Sequence, residues 1–290
     1  MAQAEWEPEE AVIRRLEVHT KHLLLEAGAL GRLPTPVDDI VAASRLSEPG
    51  ESLLSDSALA RAPQYLRVAV QAFRHKVRAV LDRRAREIHL DPDVSIEGKR
   101  SFARLHEVAH DLVPWQSDLV QIDGDQQLSP EANALFEREA NVGAAQLLFQ
   151  QDLLGRIAGQ YDVGIRTITD VASVFGGTVR ATAREYARSH RRHVMTIVLD
   201  LSPLSLDPLR VQRREMTRSA AWIEVFGPTL LPAILDQRTT PWLAEAVATG
   251  RGAVRAGRTD LWGADREARV VEYEFLNTSY QLVGVFSLKG

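Results

Sequence analysis

Two histidines and a glutamate define the chemistry this chain can attempt. His106, Glu107 and His110 lie in the run GKRSFARLHEVAHDL, residues 98–112. The run has no proline, and Phe102, Leu105, Ala109 and Leu112 form one apolar stripe, so it is expected to be a helix. A spacing of four then sets both imidazoles on one face, one turn apart, as two ligands of a single divalent cation require. Glu107 falls on the adjacent face, where a carboxylate can take a proton from water activated by that cation. Without a third ligand, the same run is simply an exposed helix with two ordinary histidines.

A third ligand is available downstream. Ser129 and Pro130 mark a helix start, the serine as N-cap and the proline in the first turn, and the helix is expected to run to about Phe149. Ala134, Glu137, Ala140, Asn141, Ala144, Ala145 and Leu148 share one stripe along it. Glu137 is therefore expected to point toward a core, where an unpaired carboxylate costs on the order of several kcal/mol unless a divalent cation or an arginine pairs it. Glu139 and Gln146 fall on a more polar side and read as solvated. Ala140, Gly143 and Ala144 are small enough to let two helices approach closely. Asn141, one turn beyond Glu137, is placed either to hydrogen-bond a ligand histidine or to pack the helix.

Three protein ligands leave the fourth position of a tetrahedral cation open, which is the arrangement of a catalytic site. The expected reaction is amide hydrolysis, with Glu107 as general base toward water and then proton donor to the leaving amine. Zinc is the expected cation; manganese also suits imidazole and carboxylate ligands. The chain has no cysteine, so thiolate ligands, cysteine nucleophiles and disulfides are all excluded. Tyr65, Tyr161 and Tyr186 are candidates by residue type for stabilising the oxyanion.

The elements that must carry these residues belong to a chain of 290 residues, long enough for two or three domains. Hydrophobic residues make up 45% and charged residues 26%, which is a globular composition. A net charge of −4 argues against a surface that binds polyanions everywhere, so any nucleic-acid contact must be local. The acidic start has no apolar leader, and no apolar run is long enough to span a bilayer, so a cytoplasmic protein without membrane contact is expected. An amphipathic helix is expected over 9–29, a short helix start at 36–41, a loop at 49–52, a basic amphipathic helix over 65–80 and a short strand at 88–92.

Beyond residue 152 the pattern shortens into helices punctuated by glycine. A helix ending near Phe175, the turn Gly176-Gly177 and a second helix capped by Thr178 have helix-turn-helix punctuation. Arg180, Arg184 and Arg188 recur every four residues on the second helix. That strip fits phosphates or base edges, an acidic docking partner, or plain solvent. After His193 the period becomes two: 195–199, 222–226, 270–275 and 282–286 read as strands, with a helix over 241–249. This third segment is expected to be a mixed α/β module in which Trp222, Trp242 and Trp262 form core or pocket walls. The boundaries are expected at 1–150, 151–194 and 195–290.

The run FARLHEVAH followed by FEREANVGAAQLL resembles the ImmA/IrrE family of metallopeptidases, whose pattern is HExxH followed by a helix with E-x-E-A-N and a leucine tail. The resemblance covers about 34–149. Ala109 stands where members often have glycine, and Gly143-Ala144 where they often have Phe-Ala. Carried over, the resemblance implies a mostly helical zincin-like domain with His106, His110 and Glu137 as metal ligands and Glu107 as the catalytic carboxylate. The order of peptidase, helix-turn-helix and α/β module also resembles a radiation-response regulator of this family, whose third domain looks like a GAF sensor fold. That implies a multidomain α+β protein that cuts a helix-turn-helix transcriptional repressor and so switches on a stress or DNA-damage response. A signal or small-molecule ligand at the third domain would follow, its identity open. The competing expectation is a DNA-binding regulator with a structural or vestigial metal site.

Overall fold

The computed structural model describes residues 10–61, 64, 78–113, 129–227, 231–263 and 265–288. Its fold is mixed α and β, and the chain divides into two compact units. One spans Gln3–Gln151 together with Val174–Gly177; the other holds Asp152–Ser173 and Thr178–Gly290.

The first unit is built on helices α1 (Glu10–Glu26), α2 (Val37–Ala43), α3 (Asp56–Arg61), α4 (Glu97–Leu112) and α5 (Pro130–Leu148). Between α3 and α4 the strands β1 (Ala79–Asp82) and β2 (Glu87–Leu90) pair antiparallel, with Leu81 opposite Ile88. Helix α5 begins as the sequence dictates: the Ser129 hydroxyl accepts from the Ala132 N–H at 3.2 Å and Pro130 opens the first turn. It packs against both α4 and α1, so apolar residues from two of its faces enter the core. Thr20 of α1 donates to Gln146 of α5 at 3.1 Å, which satisfies a polar pair inside that contact. The helix expected over 65–80 lies almost wholly outside the described residues, and its last two, Ala79 and Val80, belong to β1.

The second unit starts with α6 (Leu153–Ala158), α7 (Ile165–Phe175) as far as Ser173, and α8 (Val179–Ser189). Gly176, at φ +73°, takes the left-handed turn between α7 and α8 that glycine adopts without strain, and Thr178 caps α8 by accepting from the Ala181 N–H at 3.2 Å. The sheet follows: β3 (Val194–Asp200), β4 (Ser205–Leu206), β5 (Leu209–Arg218), β6 (Ile234–Asp236), β7 (Val254–Trp262), β8 (Ala268–Asn277) and β9 (Gln281–Ser287). The order is β4-β5-β3-β9-β8-β7, with β6 also on β5, and every pairing is antiparallel.

Both faces of the central strand β3 are covered. Met195, Ile197 and Leu199 join a core with α9 (Ala220–Phe226) and α10 (Leu243–Val247), while Thr196 on the other face donates to the Ala183 carbonyl of α8 at 3.0 Å. On the α9/α10 face Trp242 stacks on Phe275 and meets Phe286 edge-on, both with centroids at 5.2 Å. Gly284 is opposite Phe275 in the register, and a Cβ there would stand 2.3 Å from the phenyl ring. The ring occupies the space that glycine leaves.

Several expectations need correction. Residues 222–226 are not a strand but most of α9. The Ser219 hydroxyl caps that helix by accepting from the Trp222 N–H at 3.1 Å, Gly227 ends it at φ +69°, and Trp222 stacks on Phe226 at 4.3 Å. Alternation over five residues fits an i, i+4 pair as well as a strand, and the cap decides. Trp222 and Trp242 are core residues, but Trp262 is 68% exposed. Helix α8 packs on β3, β5 and β9. Strands β5 and β7 add to those expected, and their charged residues hide the alternation.

Candidate metal centre

The donor atoms of α4 and α5 converge. His106 Nε2 lies 3.1 Å from His110 Nε2, and the rings meet at 84°. Glu137 closes the triangle, with Oε2 at 3.2 Å from His106 Nε2 and Oε1 at 3.4 Å from His110 Nε2. Ligands bound to one tetrahedral zinc at about 2.0–2.1 Å stand about 3.3 Å apart, so the three atoms already mark one face of such a polyhedron. Two ring nitrogens this close cannot both present lone pairs to each other; a proton or a cation has to lie between them. The donor set, two imidazoles and a carboxylate, is chemically suited to a divalent transition metal.

Close helix packing makes the convergence possible. A Cβ on Gly143 would fall 2.8 Å from the Ala109 Cβ, so glycine on α5 opposite alanine on α4 sets the approach. Leu105, Val108, Ala109, Ala140 and Ala144 are fully buried along this contact region. The far end of α4 is held by two arginines that no sequence motif marks. Arg83 donates to the His110 carbonyl at 3.0 Å, and Arg86 pairs with Asp111 at 2.5 Å while donating to the Ser44 carbonyl at 2.7 Å. They sit in and beside the β1–β2 turn, and Arg86 has a positive φ of 60°.

The two carboxylates of the site have opposite environments. Glu107 is 8% exposed, and burial pushes its carboxyl above the usual range, against the pull of His106 and His110 and of a backbone hydrogen bond from Leu81. Glu137 is held well below the usual range by hydrogen bonds from His106 and His110. Its side chain is 62% exposed, so the expectation that it faces a core is corrected: it stands at the solvent edge of the cluster. Glu139 and Gln146, expected to be solvated, are buried at 2% and 1%. The reason is the second packed face of α5, which turns its more polar side inward while its first turns reach beyond the core. Among the described residues, no hydrogen bond joins Asn141 to either histidine.

The remaining candidates lie in the second unit or outside the described residues. Tyr186 is fully buried there, with its ring 4.8 Å from that of His190, and Tyr161 is exposed; Tyr65 lies outside the described residues. The arginine strip is engaged within its own unit. Arg180 pairs with Glu215 at 2.6 Å, Arg184 lies 3.9 Å from the same carboxylate, and Arg188 pairs with Glu185 at 2.7 Å. Most other residues of α8 are buried. Among the described residues, no helix is long and apolar enough to cross a membrane.

No family model matches the sequence, and no curated protein does either. Among solved structures, a Mycobacterium tuberculosis transcriptional regulator is similar, at 15% identity and a TM-score of 0.53, over 95% of this chain and 76% of that one. At that identity the likeness is one of fold.

Proposed function

We propose that the chain is a metalloendopeptidase of the ImmA/IrrE type that acts as a regulator, cutting a helix-turn-helix transcriptional repressor to release a stress or DNA-damage response. The observation that carries the reading is the triangle of His106, His110 and Glu137 donors at 3.1–3.4 Å with Glu107 buried in the next position of the same helix. A zinc or manganese ion held there would polarise a peptide carbonyl and lower the pKa of water. Glu107, its proton affinity raised by burial, then accepts the proton of the attacking water and passes it to the leaving amine. The exposed side of Glu137 leaves the cluster open to a polypeptide from solvent. A regulatory role is supported by the solved structure of similar fold, itself described as a transcriptional regulator. The first unit is read as zincin-like and the sheet of the second as a GAF-like sensor for a small-molecule or other signal.

The deciding experiment has two arms. Metal analysis of wild type and Glu137→Ala is expected to find about one divalent ion per chain in the first and little in the second. Incubation with candidate repressors is expected to give one cut with wild type and none with Glu107→Gln. Cleavage by Glu107→Gln at the wild-type rate would remove Glu107 from the mechanism.

That same likeness to a transcriptional regulator favours a second reading, a DNA-binding regulator with a structural metal site. The pairing of Arg180 and Arg184 with the one Glu215 carboxylate leaves it less support, since that carboxylate offsets part of their charge. It predicts salt-sensitive DNA binding that falls on Arg180→Ala.

A further inference from the structure

Strand β7 ends the sheet. Among the described residues its one partner is β8, and its nine residues, VRAGRTDLW, leave a long edge. The flanking hydrogen bonds fix which groups face outward. Gly263 N–H donates to the Glu267 carbonyl at 2.9 Å and Asn277 N–H to the Ala253 carbonyl at 3.3 Å, so the odd-numbered residues make the bonds to β8. The N–H and C=O groups of Val254, Ala256, Arg258, Asp260 and Trp262 therefore point away from the sheet. Native proteins blunt such an edge with charge, a bulge or a cover. This one carries the charges of Arg255, Arg258 and Asp260, but it runs through an unbroken register and has two exposed apolar side chains, Val254 at 55% and Trp262 at 68%.

We propose that β7 pairs antiparallel with β7 of a second copy of this chain, about a two-fold axis through Thr259. The side-chain pattern selects this register. Residues on the same sheet face must meet in a symmetric antiparallel pair, so even residues meet even ones. With Thr259 on the axis, Arg258 stands opposite Asp260 of the partner subunit and Asp260 opposite Arg258 of the partner subunit, giving two symmetric ion pairs. Asp260 makes no ion pair within the chain among the described residues, whereas Arg258 pairs with Glu272 at 2.8 Å. The register also sets Trp262 over Ala256 of the partner subunit and beside the exposed valine at the strand's start. A shift that centres on Arg258 instead puts two guanidinium groups face to face. Four outward residues on each strand then exchange backbone hydrogen bonds across one continuous sheet. The interface is small beside the roughly 1,200–2,000 Å² of stable complexes, so the dimer is concentration-dependent.

Light scattering on the full chain tests this over about 5 to 300 μM, a range suited to an interface of this size. The mass of wild type is expected to rise from 32.2 kDa toward twice that value. Asp260→Arg, which sets like charges opposite each other, is expected to weaken association at least tenfold with an unchanged thermal transition. Because the chain has no cysteine, Thr259→Cys provides a register-specific reporter. It should oxidise to a disulfide-linked dimer, and Arg255→Cys should not. A wild type that stays monomeric throughout, a dimer indifferent to Asp260→Arg, or equal cross-linking at the two cysteine positions would overturn the proposal.

Discussion

Gly143 and Ala109 face each other across α4 and α5 at a separation that admits no further carbon: a Cβ on the glycine would stand 2.8 Å from the alanine Cβ. This contact is adjacent in sequence to His110 and about one and two-thirds turns beyond Glu137, so it sets the distance between the donors the two helices contribute. Gly143→Ala should push the helices apart. Overpacking costs about 1–3 kcal/mol, offset by about 1 kcal/mol of improved helix propensity. The distinguishing measurement is a double-mutant cycle with Ala109→Gly, followed by urea unfolding and metal titration. The pair should show a favourable coupling of about 1 kcal/mol or more, and the double variant should recover metal affinity lost in Gly143→Ala. Additive effects would mean that this contact does not set the helix spacing.

The ligand triangle makes a thermal prediction. A ligand that binds only the folded state stabilises it by RT ln(1 + [L]/Kd), about 2.7 kcal/mol at a hundredfold excess over Kd. Zinc added to metal-stripped protein should raise the transition temperature of wild type, and the increase should vanish in His110→Ala and Glu137→Ala. Arg86→Ala should retain part of it, since Arg86 holds the end of α4 through Asp111 and the Ser44 carbonyl without belonging to the triangle.

What could be read in advance was local. The four-residue spacing of His106 and His110, and the Ser129-Pro130 start of α5, are contained within single turns, and the backbone follows them. The facing of Glu137 and Glu139 was not legible, because it depends on α1 packing against a second side of α5 from more than a hundred residues away. The arginines of α8 look alike as a nucleic-acid strip and as ion-pair partners; the difference is Glu215, a strand residue far along the chain. Strands β5 and β7 are charged on their solvent faces, where Arg214 meets Asp200 and Arg258 meets Glu272, so the alternation of apolar residues is broken where cross-strand charge pairs replace it.

Burial of Glu107 predicts a trade of stability for activity. Its folded-state carboxyl titrates above its unfolded value, mainly through burial. For an acid shifted upward, both states are protonated at low pH and there is no difference; as pH rises through the folded value the charged form penalises the fold. Metal-free Glu107→Gln should therefore be more stable than wild type near pH 7. The gap should close as pH falls below the ordinary glutamate range of about 4.3, as read by urea midpoints at a series of pH values. A variant less stable than wild type at neutral pH would show that the carboxylate is well compensated in the fold.

In the second unit, Gly284 and Phe275 form a cross-strand pair in which the ring covers the glycine backbone. Gly284→Ala places a methyl 2.3 Å from the phenyl carbon nearest it, so the ring must leave its stack with Trp242. The expected loss is about 2–3 kcal/mol in urea unfolding, the upper part of the overpacking range. Phe275→Leu in the same background should restore part of it by freeing the space, and failure to do so would place the strain elsewhere.

His190 gives the second unit its own acid sensitivity. The ring is 6% exposed, its Nδ1 accepts from the Arg192 N–H at 3.0 Å, and its Nε2 has no hydrogen-bond partner among the described residues. Burial, aided by the nearby Arg192 charge, pushes its pKa down to about 4. A base with a lowered folded-state pKa is neutral in the fold while the unfolded chain takes up a proton below about 6.5. Stability conferred by the neutral ring is thus complete above pH 6.5 and falls progressively toward pH 4, by about 3 kcal/mol at 1.36 kcal/mol per pH unit. His190→Asn preserves the acceptor near the Arg192 amide and cannot titrate. Its urea midpoint should fall less steeply than that of wild type between pH 6.5 and 4, and parallel curves would show that His190 is protonated in the fold without cost.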